Sequence, residues 1–218
     1  MINGKGVSAG IGFGNIVILN NEEIIVEKKN VEDSEQELTK FKEALNNVIS
    51  ETQEIVEKIS GTEKEIMTAY LMIMQDPSLS NETENLIKTS KYNAEYATEI
   101  GFGNVIKIFE NMDDQYMAER ARDIADIKDR VIAKLLKKDK IDVSHLKPNT
   151  IIVAKELTTS DTAKIDIKNI NGIITEMGGA NSHTSIMART HLIPAVTGVI
   201  DATKIFENNQ YVALNGID

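Results

Sequence analysis

Residues 172–189 read Gly172-Ile173-Ile174-Thr175-Glu176-Met177-Gly178-Gly179-Ala180-Asn181-Ser182-His183-Thr184-Ser185-Ile186-Met187-Ala188-Arg189. The stretch passes from a β-branched run, through two glycines, into a helical pattern. The glycines allow a tight turn and close backbone approach. Ser182 or Asn181 is suited to cap the helix that follows. His183 then falls in or beside the first turn, among the backbone N–H groups that a helix leaves without internal acceptors. Such a position favours phosphate.

It also suits a nucleophilic histidine. A neutral imidazole keeps one nitrogen lone pair, and attack on phosphorus would give a covalent phosphohistidine. Gly178 and Gly179, with the hydroxyls of Ser182, Thr184 and Ser185, would surround the new charge. Arg189 adds a fixed cation, about 9 Å along an ideal helix axis from His183 and some 120° from an in-line position. No metal site is expected. His183 and His191 lie about 12 Å apart along such an axis, too far to share an ion. His145 has no partner of matching spacing. There is no G-x-S-x-G elbow. Gly10-Ile11-Gly12-Phe13-Gly14 has the wrong spacing for a dinucleotide fingerprint and reads as turns.

Working outward, Thr150–Ala154, Gly172–Thr175, Ala195–Gly198 and Tyr211–Leu214 read as strands, with helical pieces near 159–166 and 182–191. The first thirty residues are similar in texture, with strands at Asn15–Leu19 and Ile24–Val26. Residues 31–140 contain one proline, Pro77, and read as helices. Apolar residues recur from Leu38 to Ile59 at three-four spacing, behind an N-cap at Asp33 or Ser34. Further helices follow over about 63–74, 79–89, 93–111 and 114–138, with a kink expected at Gly101 and Gly103. The pattern predicts one α/β domain built from both chain ends, residues 1–30 plus 141–218. A helical bundle, residues 31–140, is inserted between them.

The 218 residues are 41% hydrophobic and 27% charged, as in folded proteins, and include no cysteine. Disulfides and thiol chemistry are thereby excluded. No apolar run is long enough to span a membrane, and no signal peptide is evident, so a cytoplasmic protein is expected. Net charge is −10, and roughly −8 of it falls between Val31 and Lys140. That argues against nucleic acid and is compatible with steering a basic protein partner.

The string GGANSHTSIMART (178–190) followed by HLIPAVTG (191–198) resembles the phosphohistidine signature of phosphoenolpyruvate-utilising enzymes. Its fixed points are Gly178-Gly179, Ser182-His183, Ala188-Arg189 and Pro194-Ala195. The rest is similar to the N-terminal half of the Enzyme I family of bacterial sugar phosphotransferase systems. The similar segments are residues 6–14, Asp113–Ile124, and Val153–Ala163.

The resemblance implies an α/β swivelling phosphohistidine domain with an inserted helical bundle. It implies a phosphoryl group on Nε2 of His183, with the Thr162 hydroxyl on the other ring nitrogen and Arg189 helping to hold the phosphoryl. The partner it implies is the histidine phosphocarrier HPr. HPr would dock on the bundle through Met67, Tyr70, Leu71, Met72, Met74 and Arg120.

Two departures stand out: Tyr70 where relatives often carry His, and Ala180-Asn181 where Arg-Thr is common. The family's second half is a TIM barrel that binds phosphoenolpyruvate and Mg²⁺ and dimerises. It is not in this sequence. The implied fragment is monomeric, needs no cofactor, and exchanges phosphoryl with HPr but not with phosphoenolpyruvate unaided. In a full-length protein it would work beside its own C-terminal domain in a homodimer. Alternatives are a nitrogen-regulatory or dihydroxyacetone-kinase-linked paralogue, and a non-catalytic helical adaptor.

Overall fold

The computed structural model describes residues 2–19, 24–113, 115–138 and 143–217. The chain forms two compact units, Glu23–Lys140 and the pair Met1–Glu22 with Ile141–Asp218.

The first unit is helical, with α1 (Ser34–Lys58), α2 (Gly61–Gln75), α3 (Pro77–Ser90), α4 (Ala94–Glu110) and α5 (Gln115–Leu135). Within the Asp113–Ile124 motif, Asp114 lies outside the described residues. Asp33 caps α1 by accepting the Gln36 N–H at 3.0 Å. Leu38, Phe41, Val48 and Thr52 form its buried stripe. Asn93 does not cap α4 with its side chain. Instead Glu37 of α1, itself buried, accepts the Ala94 N–H at 2.8 Å. A tertiary contact thus satisfies a helix terminus that local sequence left open.

Helix α4 runs through Gly101 and Gly103 as one element. Gly101 marks close packing on α3: a Cβ there would lie 2.4 Å from Thr83 Oγ1. Ile24–Val26 form no strand. The segment after them is strapped to the α3–α4 turn. Asn93 Oδ1 accepts the Lys29 N–H at 2.8 Å, and the Val31 N–H donates to Lys91 O at 2.8 Å. These bonds draw residues 24–30 into the helical unit, ahead of the boundary that composition indicated.

The second unit is one mixed sheet of strands β1 (Lys5–Ser8), β2 (Ile11–Leu19), β3 (Thr150–Ala154), β4 (Ile170–Thr175), β5 (Ala195–Thr197) and β6 (Tyr211–Asn215). Their order is β1-β5-β4-β3-β2-β6. The central pairs β2–β3, β3–β4 and β4–β5 are parallel, and the edge strands β1 and β6 are antiparallel. Helices α6 (Thr159–Lys164), α7 (His183–Thr190) and α8 (Ala202–Ile205) connect the later strands.

The period of two along β3 splits its side chains between two cores. Ile152 and Ala154 pack with Leu157, Ile165, Met187 and Ala188. Ile151 and Val153 pack on the other face with Ile16, Val196, Val199 and Ala202. Both faces are covered, so Thr150–Ala154 reads as a continuous apolar run without alternation.

The glycines of residues 10–14 divide in role. Gly10, at φ +138°, makes the β1–β2 turn. Gly12 lies inside β2, where a Cβ would sit 1.9 Å from the Asn171 carbonyl oxygen. It marks a backbone crossing, not a turn. Gly12→Ala should therefore destabilise the fold by about 2–4 kcal/mol. Gly103, in a helix interior with nothing within 4 Å of its Cβ position, should behave oppositely. Gly103→Ala should stabilise by about 1 kcal/mol. Urea midpoints of the two variants check both signs.

Candidate functional site

The site follows from one pairing. Strands β3 and β4 run parallel, with Ala154 opposite Thr175 at their C-terminal ends. The pairing continues past the strands. Glu176 N–H donates to Ala154 O at 3.1 Å and Met177 N–H to Lys155 O at 2.8 Å. The segments leading to α6 and α7 therefore leave the sheet side by side. Ligands gather at the C-terminal edge of such a parallel sheet.

Each helix start is set locally. Thr158 Oγ1 accepts the Asp161 N–H at 3.1 Å, and an Asp161 carboxylate oxygen accepts the Thr158 N–H at 3.2 Å. This reciprocal capping box begins α6 at Thr159. Ser182 caps α7 by accepting the Ser185 N–H at 3.3 Å, so His183 is its first residue. Gly178 takes φ +111°, a conformation costly for any side chain. The Thr197 hydroxyl, 3.0 Å from Met177 O and 3.1 Å from Gly178 O, ties this turn to β5. A Cβ on Gly179 would meet nothing within 4 Å, so that glycine answers to no close approach.

The hydroxyl beside His183 belongs to Thr159. Its Oγ1 lies within hydrogen-bond distance of His183 Nδ1. Thr162, which the resemblance put there, turns back on its own helix: its Oγ1 donates to Thr159 O at 2.9 Å. The capping box decides this. It starts α6 at Thr159, facing α7, and leaves Thr162 one turn further on. The readable signal was the Thr158…Asp161 spacing.

The hydroxyls of Thr184 and Ser185 are buried and occupied by carbonyls. Thr184 Oγ1 donates to Leu157 O at 3.3 Å and Ser185 Oγ to Gly179 O at 2.7 Å. They shape the loop, each hydroxyl proton being committed to a backbone carbonyl. Arg189 is exposed, and its guanidinium reaches back along the loop. Nη1 donates to Ala180 O at 2.7 Å and to Val7 O at 3.3 Å. Among the described residues no group of three His, Asp or Glu could hold a metal ion.

In the helical unit the six docking candidates separate. Met67, Tyr70 and Met74 are 1%, 0% and 2% exposed. Their spacing of three and four puts them on the buried face of α2, so they supply no docking contact. The Tyr70 hydroxyl donates to Asp126 at 2.6 Å. Burial first, and then the Asp126 carboxylate, hold the phenol well above its ordinary range. Arg130, one turn on from Asp126, donates to Thr52 Oγ1 at 3.0 Å and completes a buried polar cluster across α1, α2 and α5. Leu71 is half-buried and Met72 is 66% exposed. Arg120 is half-buried and pairs with the buried Asp123 at 3.3 Å. Among the described residues no helix is long and apolar enough to cross a membrane.

A histidine opening a helix at the edge of a mixed sheet, with a helical unit inserted in the chain, defines a phosphohistidine-type domain. The family comparisons agree. Residues 3–120 match the N-terminal model of PEP-utilising enzymes, and residues 146–218 match the mobile-domain model. The chain belongs to the PEP-utilising enzyme family, where it corresponds to the N-terminal region of Enzyme I, the phosphoenolpyruvate-protein phosphotransferase.

The phosphoenolpyruvate-protein phosphotransferase of Bacillus subtilis is 39% identical over 221 residues, covering 100% of this chain and 39% of that protein. The Buchnera aphidicola (subsp. Schizaphis graminum) protein is 35% identical over 224 residues, with the same shares. This chain thus spans about two fifths of the length of these relatives. An NMR solution structure of an Enzyme I protein superposes with TM-score 0.84 at 33% identity, over 100% of this chain and 90% of that one. The N-terminal domain of a nitrogen-type Enzyme I, at 20% identity and TM-score 0.66 over 99% and 90% of the two chains, shares the fold.

Ser182 holds the start of α7 and hence the place of His183. Ser182→Ala should lower stability by about 1 kcal/mol and increase hydrogen exchange in the first turn of α7. Native-state exchange of the amides from His183 to Ile186 measures it.

Proposed function

We propose that this chain carries a phosphoryl group on Nε2 of His183 and exchanges it with the active histidine of the phosphocarrier HPr. The observation that supports this most is His183 as first residue of α7, capped by Ser182, with a threonine hydroxyl at the opposite ring nitrogen. In the transfer, the imidazole lone pair attacks phosphorus as the N–P bond to the carrier breaks. The leaving ring nitrogen recovers its lone pair, and the Nδ1 proton of His183 stays in place. Such an exchange between two imidazoles is close to thermoneutral. Catalysis then rests on in-line positioning and on stabilising the loose phosphoryl. Arg189 supplies positive charge from a loop it helps to brace. The turn that holds Gly178 and Gly179 keeps side chains away from the approach.

The proposed docking surface lies on the helical unit, on its exposed side around Leu71, Met72 and Arg120. The net charge of that unit would steer a basic carrier, and the encounter should weaken with salt. The names of the relatives add phosphoenolpyruvate as the ultimate donor in the longer proteins.

Incubation with phospho-HPr should give an acid-labile, base-stable phosphoryl group on the wild type and none on His183→Ala. A folded wild type that stays unlabelled overturns the reading. Met72→Glu should weaken HPr binding roughly tenfold, the scale set by about 1.4 kcal/mol at an interface contact, with unchanged thermal unfolding. Titration calorimetry reads the first and differential scanning calorimetry the second; unchanged affinity would move the interface elsewhere.

A further inference from the structure

We propose that Lys5 is a second cation of the His183 site and contacts the phosphoryl group that the histidine carries. The inference rests on the phosphoryl-transfer reading and adds to it a contact from the far end of the chain.

Strand β1 runs antiparallel to β5, so its first residue, Lys5, stands at the edge where the parallel strands end and α7 begins. Lys5 pairs with Thr197, the last residue of β5. Directly opposed residues of a ladder put their side chains on one face. Thr197 is two residues beyond Ala195, which packs in the core with Met187 and Ala188 of α7. Lys5 therefore lies on the α7 side of the sheet. The Thr197 hydroxyl is the group that ties down Met177 and Gly178. Lys5 is thus one strand spacing, about 4.8 Å, from the residue that holds the glycine turn.

The register of β1 slips between Gly6 and Ser8. Val7 is the extra residue, and its carbonyl accepts from Arg189 Nη1, which also donates to Ala180 O. One guanidinium nitrogen joins β1 to the loop before His183. From that joint α7 leads back to His183 and β1 leads back to Lys5, both toward the same edge.

The other charges at this edge are turned away or occupied. Lys155 continues the alternation of Ile151 and Val153, and so falls on the α8 side. Glu176 accepts the Thr203 N–H at 2.9 Å and the Thr203 hydroxyl at 2.6 Å. Asp161 accepts the Thr158 N–H. Lys5 is exposed and, among the described residues, forms no ion pair. A phosphoryl group carries up to two negative charges, and Arg189 answers one of them. The ammonium of a lysine, on a flexible stem, can follow such a group as a point charge.

The test is titration of the whole chain with inorganic phosphate at fixed pH and ionic strength, read at the amides of Gly178 to Thr184. Lys5→Gln should raise the apparent dissociation constant about threefold, the scale of an exposed ion pair. Lys5→Glu should raise it further, and Lys5→Arg should keep the wild-type value. Lys147→Gln removes an equal charge just ahead of β3, at the opposite end of the sheet, and should change nothing. The equilibrium of phosphoryl exchange with HPr should shift about threefold toward HPr in Lys5→Gln. The inference is overturned by wild-type amides that do not respond to phosphate, or by an equal loss in Lys147→Gln. It is also overturned by a folded Lys5→Gln that keeps the wild-type phosphate affinity or exchange equilibrium. The phosphate titration requires no carrier protein. A wild type that binds phosphate through Lys5 but is never labelled by phospho-HPr would overturn the phosphoryl-transfer reading and leave Lys5 as a phosphate contact.

Discussion

Parallel pairing of β3 with β4, with Ala154 opposite Thr175, places the segments toward α6 and α7 next to each other as they leave the sheet. A slip of one residue would turn every side chain of one strand to the opposite face. Ile152 and Ile151 would exchange cores, so packing on both faces holds the register. The proximity of Thr159 to His183 inherits that precision. Two backbone hydrogen bonds beyond the strands, from Glu176 and Met177, carry the alignment into the loops.

Around the histidine, most polar side chains are committed to backbone. Ser182 caps, Ser185 and Thr184 bind carbonyls, Thr197 holds the Gly178 turn, and Arg189 reaches the Ala180 carbonyl. This is a preorganised site, in which side chains fix the loop and the loop fixes the ring. Preorganisation of this kind would lower the reorganisation needed in the proposed transfer.

The helical unit obeys a different constraint. Its core includes Tyr70, Asp126, Arg130 and Thr52, an ionic cluster where a bundle could be wholly apolar. A buried charge with its hydrogen bonds made tolerates little change in helix rotation, because any shift leaves a group unsatisfied. Tyr70 therefore belongs to the internal register of the bundle and not to its surface.

The amino-acid sequence by itself determined the order of elements, the α/β character of both chain ends, the helical middle, and His183 at a capped helix start. These are local properties of spacing, capping residues and glycine pairs, readable without knowing what packs against what. Only the tertiary structure decided which threonine meets the ring, because Thr159 and Thr162 differ by one helical turn and the choice depends on how α6 faces α7. It likewise decided that Gly12 serves a backbone crossing and that Glu37 caps a helix from another part of the chain. It also divided Met67, Tyr70 and Met74 from Met72 on an apolar run whose buried face the sequence left ambiguous. Each of these is a contact between residues far apart in sequence, and the pattern of one segment carries no record of its neighbour in space.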